Sequence, residues 1–412
     1  MAAYSSRDHQ SLAPLLCACL LLAAGAASGG RVDVEDMLMM DRFRSWQATY
    51  NRSYATAAER LRRFEVYRRN MALIEATNRL GLSYRLGETP FTDLTSDEFR
   101  ATHTMPRWRR DAARQQQQQQ LIITTRTGPV SEVAGGRYWN HTGGDADVPQ
   151  SVDWRAKGAV TPVKDQKDCN TCWAFAAVAA IEGLHKIKAG KLVSLSEQEI
   201  VDCASPPGSN CNSEGNPGVA MEWVATNGGL TTESDYPYED REGSCKLDKM
   251  RNHVVKISDA EEVEPNNEAA LEAAVARQPV AVVVNSAPEI QQHYKSGVFH
   301  GPCDPEKTDH AVTVVGYGAE PHGLKYWIVK NSWGDWWGEK GYLRMERRVK
   351  DKRGMMCGIA TFSTFPVRAL TCPVVLVRIY VITTTACSWT CASARRNAMM
   401  CRGQLVEQAE IK

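Results

Sequence analysis

The stretch "KDCNTCWAF", residues 167–175, sets two cysteines three positions apart, and a tryptophan directly follows the second. Such a pair has four physical interpretations: a redox couple, half of a zinc site, a strained disulfide, or one structural cysteine beside one reactive cysteine. From Cys172 to Ala189 the sequence is rich in alanine and stops at Gly190, which predicts an α-helix that begins at the second cysteine.

The number of cysteines favours the fourth interpretation. The chain has 13 cysteines, and an odd number of them, seven, lies between residues 148 and 368. In an oxidising compartment an odd number leaves one thiol unpaired. No second Cys-x-x-Cys follows to complete a zinc site, and no strand of a βαβ unit precedes the pair as in thioredoxin-type couples. Three disulfides and one free thiol is the simplest interpretation.

Cys172 is the strongest candidate for the free thiol. Unpaired amide N–H groups and the helix dipole at the start of a helix favour the thiolate, which is the nucleophilic form. A nucleophilic thiol needs a base, and His310 begins the predicted strand in "DHAVTVVGYG", although a lone histidine there is more often structural. Asn331, at the end of "KYWIVKN", would orient that imidazole if the two strands are neighbours.

The N-terminal residues 1–28 are typical of a signal peptide. Arg7 supplies a weakly basic start, and a short apolar run from Leu15 to Ala24 follows. An N-terminal anchor or a wrongly placed start is the alternative. Secretion permits disulfides. No other stretch reaches about 18 apolar residues, so we predict no transmembrane helix, and the net charge of +1 argues against nucleic-acid binding.

Residues 29–104 are predicted to be helical. Aromatic residues recur there every three or four positions, which is the spacing of one helix face, at Phe43, Trp46, Tyr50 and Tyr54. Residues 105–147 lack this periodicity and contain a run of glutamines, Gln115–Gln120. We predict an exposed and cleavable linker there.

Residues 148–368 are predicted to be helical first and strand-rich later. The helical patterns are the run from Cys172, a segment with the capping box Ser196-x-x-Glu199, and "GVAMEWVATN". The strand patterns "VAVVVN", "HAVTVVGYG", "KYWIVKN" and "GYLRME" follow. This order predicts an α+β domain or two lobes, with a cleft between them where chemistry usually takes place.

Several of these segments together resemble the papain-like cysteine proteases. "PVKDQKDCNTCWAF", "SEQEIVDC", "DHAVTVVGYG" and "WIVKNSWGDWWGEKGY" occur in the order of that family, and the likeness runs from about Asp41 to Val367. The front part resembles the inhibitory propeptide of the cathepsin L-like branch. Its first motif lies at Glu59, Arg63, Tyr67, Asn70, Ile74 and Asn78, with Tyr67 in place of Phe. Its second lies at Gly87, Thr89, Phe91 and Asp93, with Thr89 in place of Asn.

The resemblance implies an α+β, papain-like two-lobe fold, with a helical left lobe and a β-barrel-like right lobe, behind a helical propeptide. It implies that Cys172 is the nucleophile and that His310 pairs with it as an imidazolium. Asn331 would orient the imidazole and Trp333 would shield that contact from water. Gln166 would donate to the oxyanion together with the backbone N–H of Cys172.

The resemblance also implies the remaining features of such a protease. The disulfides would be Cys169–Cys211, Cys203–Cys245 and Cys303–Cys357. We expect protein and peptide substrates, the chain's own propeptide as an inhibitor in reverse orientation, cystatin-type inhibitors as further partners, a monomer, and no metal or cofactor. The enzyme would be extracellular or in a vacuole or lysosome, activated by acid and by cleavage near residues 145–148.

Specificity is expected to depend on the second subsite. Its walls would be Val283, Thr308 and Ala311, and its floor Phe362, which predicts a preference for medium aliphatic side chains. At the first subsite, Asn170 and Thr171 replace the Gly and Ser usual in the family.

In the loop that follows Cys211, Gly215 would pair with the substrate backbone, and Glu214 replaces a second glycine. Glu214 at the rim of the cleft would favour basic residues nearby, or it would be a surface glutamate without effect.

Some segments have no place in this scheme. Residues 369–412 carry Cys372, Cys387, Cys391 and Cys401 and are expected to be an unrelated tail. Asn51 and Asn140 are acceptors for N-glycosylation. Two other functions remain as alternatives to a protease: a non-catalytic homologue that binds or stores, and a propeptide-type inhibitor of other proteases.

Overall fold

The structure, a computed structural model, describes residues 34–105, 139, 148–205, 211, 215–347 and 356–368. The predicted signal peptide, glutamine run and tail lie outside these ranges, as do Asn140, Glu214 and residues 145–147. In the part that the structure describes, no helix is both long and apolar enough to cross a membrane.

The pro-region is a helical unit built on packed aromatic rings. Its elements in chain order are helix α1 (34–49), helix α2 (Ala57–Arg79), strand β1 (Tyr84–Leu86) and helix α3 (Ser96–His103). The ring of Phe43 lies 5.7 Å from that of Trp46 and 5.1 Å from that of Tyr67, measured between centroids. These three side chains are almost fully buried. The predicted aromatic stripe therefore forms the core of this unit.

After the two-residue strand Val152–Asp153, the part from residue 148 onward is helical first, as the sequence predicts. The helices are α4 (Cys172–Ala189), α5 (Glu197–Ala204) and α6 (Pro217–Asn227), followed later by α7 (Glu268–Val275) and α8 (Pro288–Gln291). Ser196 caps α5 by accepting a hydrogen bond from the backbone of Glu199. The carboxylate of Glu199 does not complete the predicted capping box, because it accepts instead from the backbone N–H of Thr231 and lies 2.7 Å from His253.

The later part forms one mixed sheet, which has nine strands in the described ranges. After β1 they are β2 (Val152–Asp153), β3 (Asp259–Glu262), β4 (Val280–Val284), β5 (Tyr294–Phe299), β6 (His310–Ala319), β7 (Lys325–Lys330), β8 (Tyr342–Glu346) and β9 (Ser363–Val367). The order is β1-β5-β8-β7-β6-β4-β9-β3, with β2 paired to β6. Among these nine described strands, only β5 and β8 pair in parallel.

Strand β6 connects the sheet to the helices. Every residue from His310 to Gly318 is buried, which is the pattern of a strand covered on both faces. One apolar cluster contains α4 together with Val283, Ala311 and Phe362. Helix α4 and the start of β6 therefore meet, and the predicted nucleophile and base lie at this junction.

Candidate active site

Cys172 is the first residue of α4 and the one free cysteine in the described ranges. Thr171, the residue before it, makes no side-chain cap, so the hydroxyl does not compete for the amide groups at the start of the helix. The backbone N–H of Ala311 approaches the Cys172 Sγ at 3.5 Å. The thiol is fully buried, and this burial raises its pKa to about 12.

His310 and Asn331 form a pair beside this thiol. Asn331 Oδ1 accepts a hydrogen bond from His310 Nε2 at 2.8 Å. That bond leaves Nδ1 for the thiol, and this nitrogen has no hydrogen-bond partner among the described residues. Burial lowers the pKa of His310 to about 4. Both shifts favour the neutral forms of the thiol and the imidazole.

The pairing of two strands brings the histidine and the asparagine together. β6 and β7 are antiparallel neighbours, with Thr313 opposite Lys330. His310 lies at the start of β6 and Asn331 directly after the end of β7, so both lie at the same end of the sheet. The ring of Trp333 stacks on the imidazole at a centroid distance of 4.5 Å and covers it.

Gln166 lies in the same site. Its Oε1 accepts from Ser332 Oγ at 2.7 Å, and its Nε2 donates to the carbonyl of Cys169 at 3.1 Å. Its backbone carbonyl accepts from the hydroxyl of Tyr238 at 2.8 Å. These contacts fix the amide plane of Gln166 and direct its N–H groups toward the cysteine loop.

The six other cysteines of the described ranges form three disulfides. They are Cys169–Cys211, Cys203–Cys245 and Cys303–Cys357, with the pairing that the resemblance implies. Cys169 and Cys172 are therefore not partners, and the interpretation of this pair as a redox couple is wrong. The interpretation of the pair as half of a zinc site is also wrong, because Cys169 is bonded to Cys211.

The residues expected to form the second subsite lie close together. Val283 and Ala311 are directly opposite each other on β4 and β6, and the backbone N–H of Val283 donates to the carbonyl of Phe362 at 3.1 Å. Thr308 is also buried, two residues before His310.

Gly215 lies against the indole of Trp173. A Cβ atom added to this glycine would lie 2.0 Å from a ring carbon of Trp173. Only glycine fits this position, because no other residue leaves room for the indole.

Part of the pro-region crosses this site. The side-chain amide of Asn170 donates to the carbonyl of Ala101 at 3.0 Å. The carbonyl of His103 accepts from Trp333 Nε1 at 3.2 Å and from Gln166 Nε2 at 3.4 Å. We call residues 101–105 the cleft segment.

The end of the cleft segment is anchored at the residues expected to form the second subsite. The backbone N–H of Met105 donates to the carbonyl of Asp309 at 2.7 Å. The Met105 side chain is buried in the apolar cluster of Cys172, Val283 and Phe362. The cleft segment therefore places Met105 in the apolar pocket and forms hydrogen bonds with polar groups around the thiol.

Sequence reasoning missed the roles of four residues at this site: His103, Met105, Tyr238 and Ser332. His103 is the last residue of α3 and Met105 begins the segment without periodicity, so no pattern marked either of them. Ser332 stands between two predicted site residues, Asn331 and Trp333, and this position was the available signal for it.

Two protein families match the chain. The "Papain family cysteine protease" matches residues 148–367, and the "Cathepsin propeptide inhibitor domain (I29)" matches residues 43–99. The chain belongs to the papain family of cysteine proteases. It is a cysteine endopeptidase made as a precursor with an inhibitory propeptide.

Curated relatives match this protease along most of its length. It is 46% identical over 353 residues to the "Senescence-specific cysteine protease SAG39" of Oryza sativa subsp. indica, with 85% of this chain and 96% of that protein covered. It is 43% identical to "Vignain" of Ricinus communis, with coverage of 75% and 81%.

Solved precursors confirm the fold. The "Recombinant stem bromelain precursor" is 41% identical, with a TM-score of 0.68 and coverage of 80% of this chain and 99% of that one. The proform of the ragweed pollen allergen Amb a 11 is 35% identical, with a TM-score of 0.67 and coverage of 80% and 93%. The predicted α+β, two-lobe fold with a helical propeptide is therefore correct.

Proposed function

We propose that Cys172 is the nucleophile of this protease and that His310 is its base and acid. The observation that carries the proposal is the free thiol at the start of α4, beside an imidazole whose other nitrogen is held by Asn331. Gln166 and the backbone N–H of Cys172 are the proposed donors to the oxyanion.

The chemistry follows from these positions. The proton of Cys172 passes to His310, and the thiolate attacks the carbonyl carbon of the peptide bond. The C–N bond breaks as the imidazolium gives its proton to the leaving amine, and a thioester remains. Water, deprotonated by His310, then cleaves the thioester, releases the new carboxyl end and restores the thiol.

In the precursor the surroundings of this pair favour its neutral form. Burial under the cleft segment raises the pKa of Cys172 and lowers that of His310, so both shifts oppose the transfer of the proton. Removal of the segment admits water and the substrate, and both pKa values then move toward the ion pair. The propeptide thus blocks access and also disfavours the reactive charge state.

The cleft segment runs opposite to a substrate. It passes from Asn170, at the proposed first subsite, to the second subsite, which Met105 fills. In a substrate the residue in the second subsite precedes the residue in the first. A reversed backbone does not present its carbonyl carbons to the thiol as a substrate does, which supports inhibition without cleavage.

We further propose that acid releases the cleft segment. His103 is buried, its ring stacks on Phe99 at 4.9 Å, and burial lowers its pKa to about 4 from an ordinary value of 6.5. Asp168 lies 4.0 Å from the ring and acts in the opposite direction, but burial is the larger influence. His103 is therefore protonated more easily when the cleft segment is released from the site. Binding of the cleft segment weakens as the pH falls from 6.5 to about 4.

The other proposals concern specificity, partners and location. The pocket of Val283, Thr308, Ala311 and Phe362 is proposed to prefer medium aliphatic side chains. Asn170 is proposed to line the first subsite, since its amide faces the cleft, and Gly215 to bind the substrate backbone. We also propose residues 29–104 as the propeptide and 148–368 as the catalytic domain, a monomer in the secretory pathway, and inhibition by cystatin-type proteins.

The catalytic assignment is tested with Cys172→Ala, Cys172→Ser and Asn331→Ala in the processed enzyme. We expect kcat/KM to fall at least about 10⁴-fold for the two cysteine variants. The asparagine variant should lose about 10²-fold, mostly in kcat, because the imidazole loses its orientation. A Cys172→Ala enzyme with more than a tenth of the activity would refute the assignment.

A further inference from the structure

The edge of the sheet at β3 carries a residue of the linker. β3 is the last strand in the sheet order of the described residues, and among these no other strand pairs with its outer side. Trp139 pairs in parallel with Val263, directly after β3. Its backbone N–H donates to the carbonyl of Glu262 at 2.7 Å, and its carbonyl accepts from the N–H of Glu264 at 3.1 Å.

The side chain of Trp139 also contacts the catalytic domain. Its indole meets the ring of Phe365 edge to face at 5.7 Å between centroids. The guanidinium of Arg277 lies over the indole, 5.1 Å from the centroid. Edge-to-face packing and a cation over an indole are both favourable arrangements. The backbone and the side chain of Trp139 are therefore recognised together.

A cavity adjoins this contact. It has a volume of about 230 Å³ and is lined by Trp139, Phe365 and Arg277, and by Leu184, Ile187 and Lys188 from the C-terminal half of α4. Leu184 follows Cys172 by 12 positions on one helix, which is a distance of about 18 Å along the axis. This surface is therefore separate from the catalytic cleft.

We propose that this surface is a peptide-docking site, which takes an extended segment that carries a tryptophan and which Trp139 fills in the precursor. Addition of a strand to an exposed sheet edge is a general mode of peptide recognition, with backbone bonds for affinity and a side-chain pocket for specificity. Once the linker is removed, the site is open to such segments of other proteins. The proposal does not depend on the catalytic roles of Cys172 and His310.

The first test uses the full-length precursor, in which the cleft segment covers the catalytic site. Trp139→Ala vacates the docking site, and a labelled peptide with the sequence of residues 135–143, GGRYWNHTG, is titrated by fluorescence anisotropy. We expect saturable binding to the Trp139→Ala precursor and at least about tenfold weaker binding to the wild type, whose site is filled. The same peptide with alanine at the tryptophan position should bind at least about tenfold more weakly.

A matched pair of arginine variants locates the binding. Arg277→Ala, added to Trp139→Ala, removes the guanidinium over the indole and should weaken binding about threefold to tenfold. Arg251→Ala, at another exposed arginine, should leave binding unchanged. Absence of saturable binding, or equal effects of the two arginine variants, would overturn the proposal.

Amide hydrogen exchange gives a second readout that does not need the peptide to bind. In the wild-type precursor the N–H of Glu264 is bonded to Trp139, whereas that of Val263 is bonded to Ser363 within the catalytic domain. In Trp139→Ala we expect exchange at Glu264 to accelerate at least about tenfold and exchange at Val263 to stay the same. Equal exchange at Glu264 in both proteins would contradict docking of Trp139.

Discussion

The pro-region contacts the catalytic domain in two different ways. The globular part, residues 34–100, packs its aromatic rings against one another, shares one apolar cluster with the catalytic domain and adds β1 to the sheet, with Tyr84 opposite Gly297. The cleft segment has no core of its own and is held by a few hydrogen bonds and the side chain of Met105. The comparison indicates a division of work: the globular part supplies affinity, and the cleft segment supplies inhibition.

Backbone and side-chain bonds fix the globular part in place. The hydroxyl of Thr89 donates to the carbonyl of Gln292 at 2.9 Å, and the amide of Gln292 donates to the carbonyl of Phe91 at 2.7 Å. The hydroxyl of Tyr84 donates to the carbonyl of Gly301 at 2.9 Å. These buried bonds set the position from which α3 directs the cleft segment into the site.

The largest loss of inhibition is expected when the globular part is destabilised. Trp46→Ala removes a buried indole that also donates to the carbonyl of Thr89 at 2.9 Å, and it should destabilise the pro-region by about 3–5 kcal/mol. The cleft segment is unchanged in sequence, yet inhibition by the propeptide added in trans should fall at least about 100-fold. Leu61→Ala, on the exposed face of α2, is the control and should change little. Full inhibition by the Trp46 variant would show that the cleft segment acts alone.

A pH series on His103→Gln is expected to have the next largest effect. The wild-type propeptide should bind more weakly as the pH falls from 6.5 to about 4, because the buried histidine resists protonation. Glutamine does not titrate, so a large part of this pH dependence should disappear. Binding is measured as the inhibition constant at each pH. Identical pH profiles for the two propeptides would rule out His103 as the sensor.

Met105→Ala tests the apolar anchor of the cleft segment. The side chain is buried among apolar residues of the proposed second subsite, so its removal should weaken propeptide binding by about 2 kcal/mol, which is about 30-fold. Met105→Leu keeps the volume and should cost less than about 1.5 kcal/mol. If Met105→Ala and Met105→Leu weaken inhibition equally, the apolar side chain is not the anchor of the cleft segment.

Asn170→Gly is expected to have the smallest effect. It removes one hydrogen bond from the enzyme side of the cleft, to the carbonyl of Ala101, and should raise the inhibition constant of the propeptide about threefold to tenfold. The change should also widen the first subsite and alter its preference in a peptide library. An unchanged inhibition constant together with an unchanged preference would remove Asn170 from the list of cleft residues.

The sequence predicted the elements better than their contacts. The start of α4 at Cys172, the end at Gly190 and the buried strand from His310 followed from composition and periodicity, which are local properties. The partner of Cys169 did not follow from composition, because a pairing 42 residues apart depends on the fold; the family resemblance supplied it. The same holds for Asn331, whose place beside His310 required the antiparallel pairing of β6 and β7.

The contacts of the linker could not be predicted. Trp139 lies in a segment without periodicity, and its partners at residues 262–264 are more than 120 positions away. The carboxylate of Glu199 shows a similar limit of local rules. It accepts a hydrogen bond from the backbone N–H of Thr231 and therefore does not complete the predicted capping box. In each case a tertiary contact that the sequence pattern does not encode decided the outcome.

The central claim is that Cys172 is the reactive thiol and that the cleft segment covers it. The most direct test is the rate at which an epoxide probe labels the intact precursor and the processed enzyme, with the labelled residue identified by mass spectrometry and Cys172→Ala as the control. We predict labelling at Cys172 alone, at least about 100-fold slower in the precursor, and none in the alanine variant. Equal rates in the two forms, or unchanged labelling of the Cys172→Ala protein, would contradict the account.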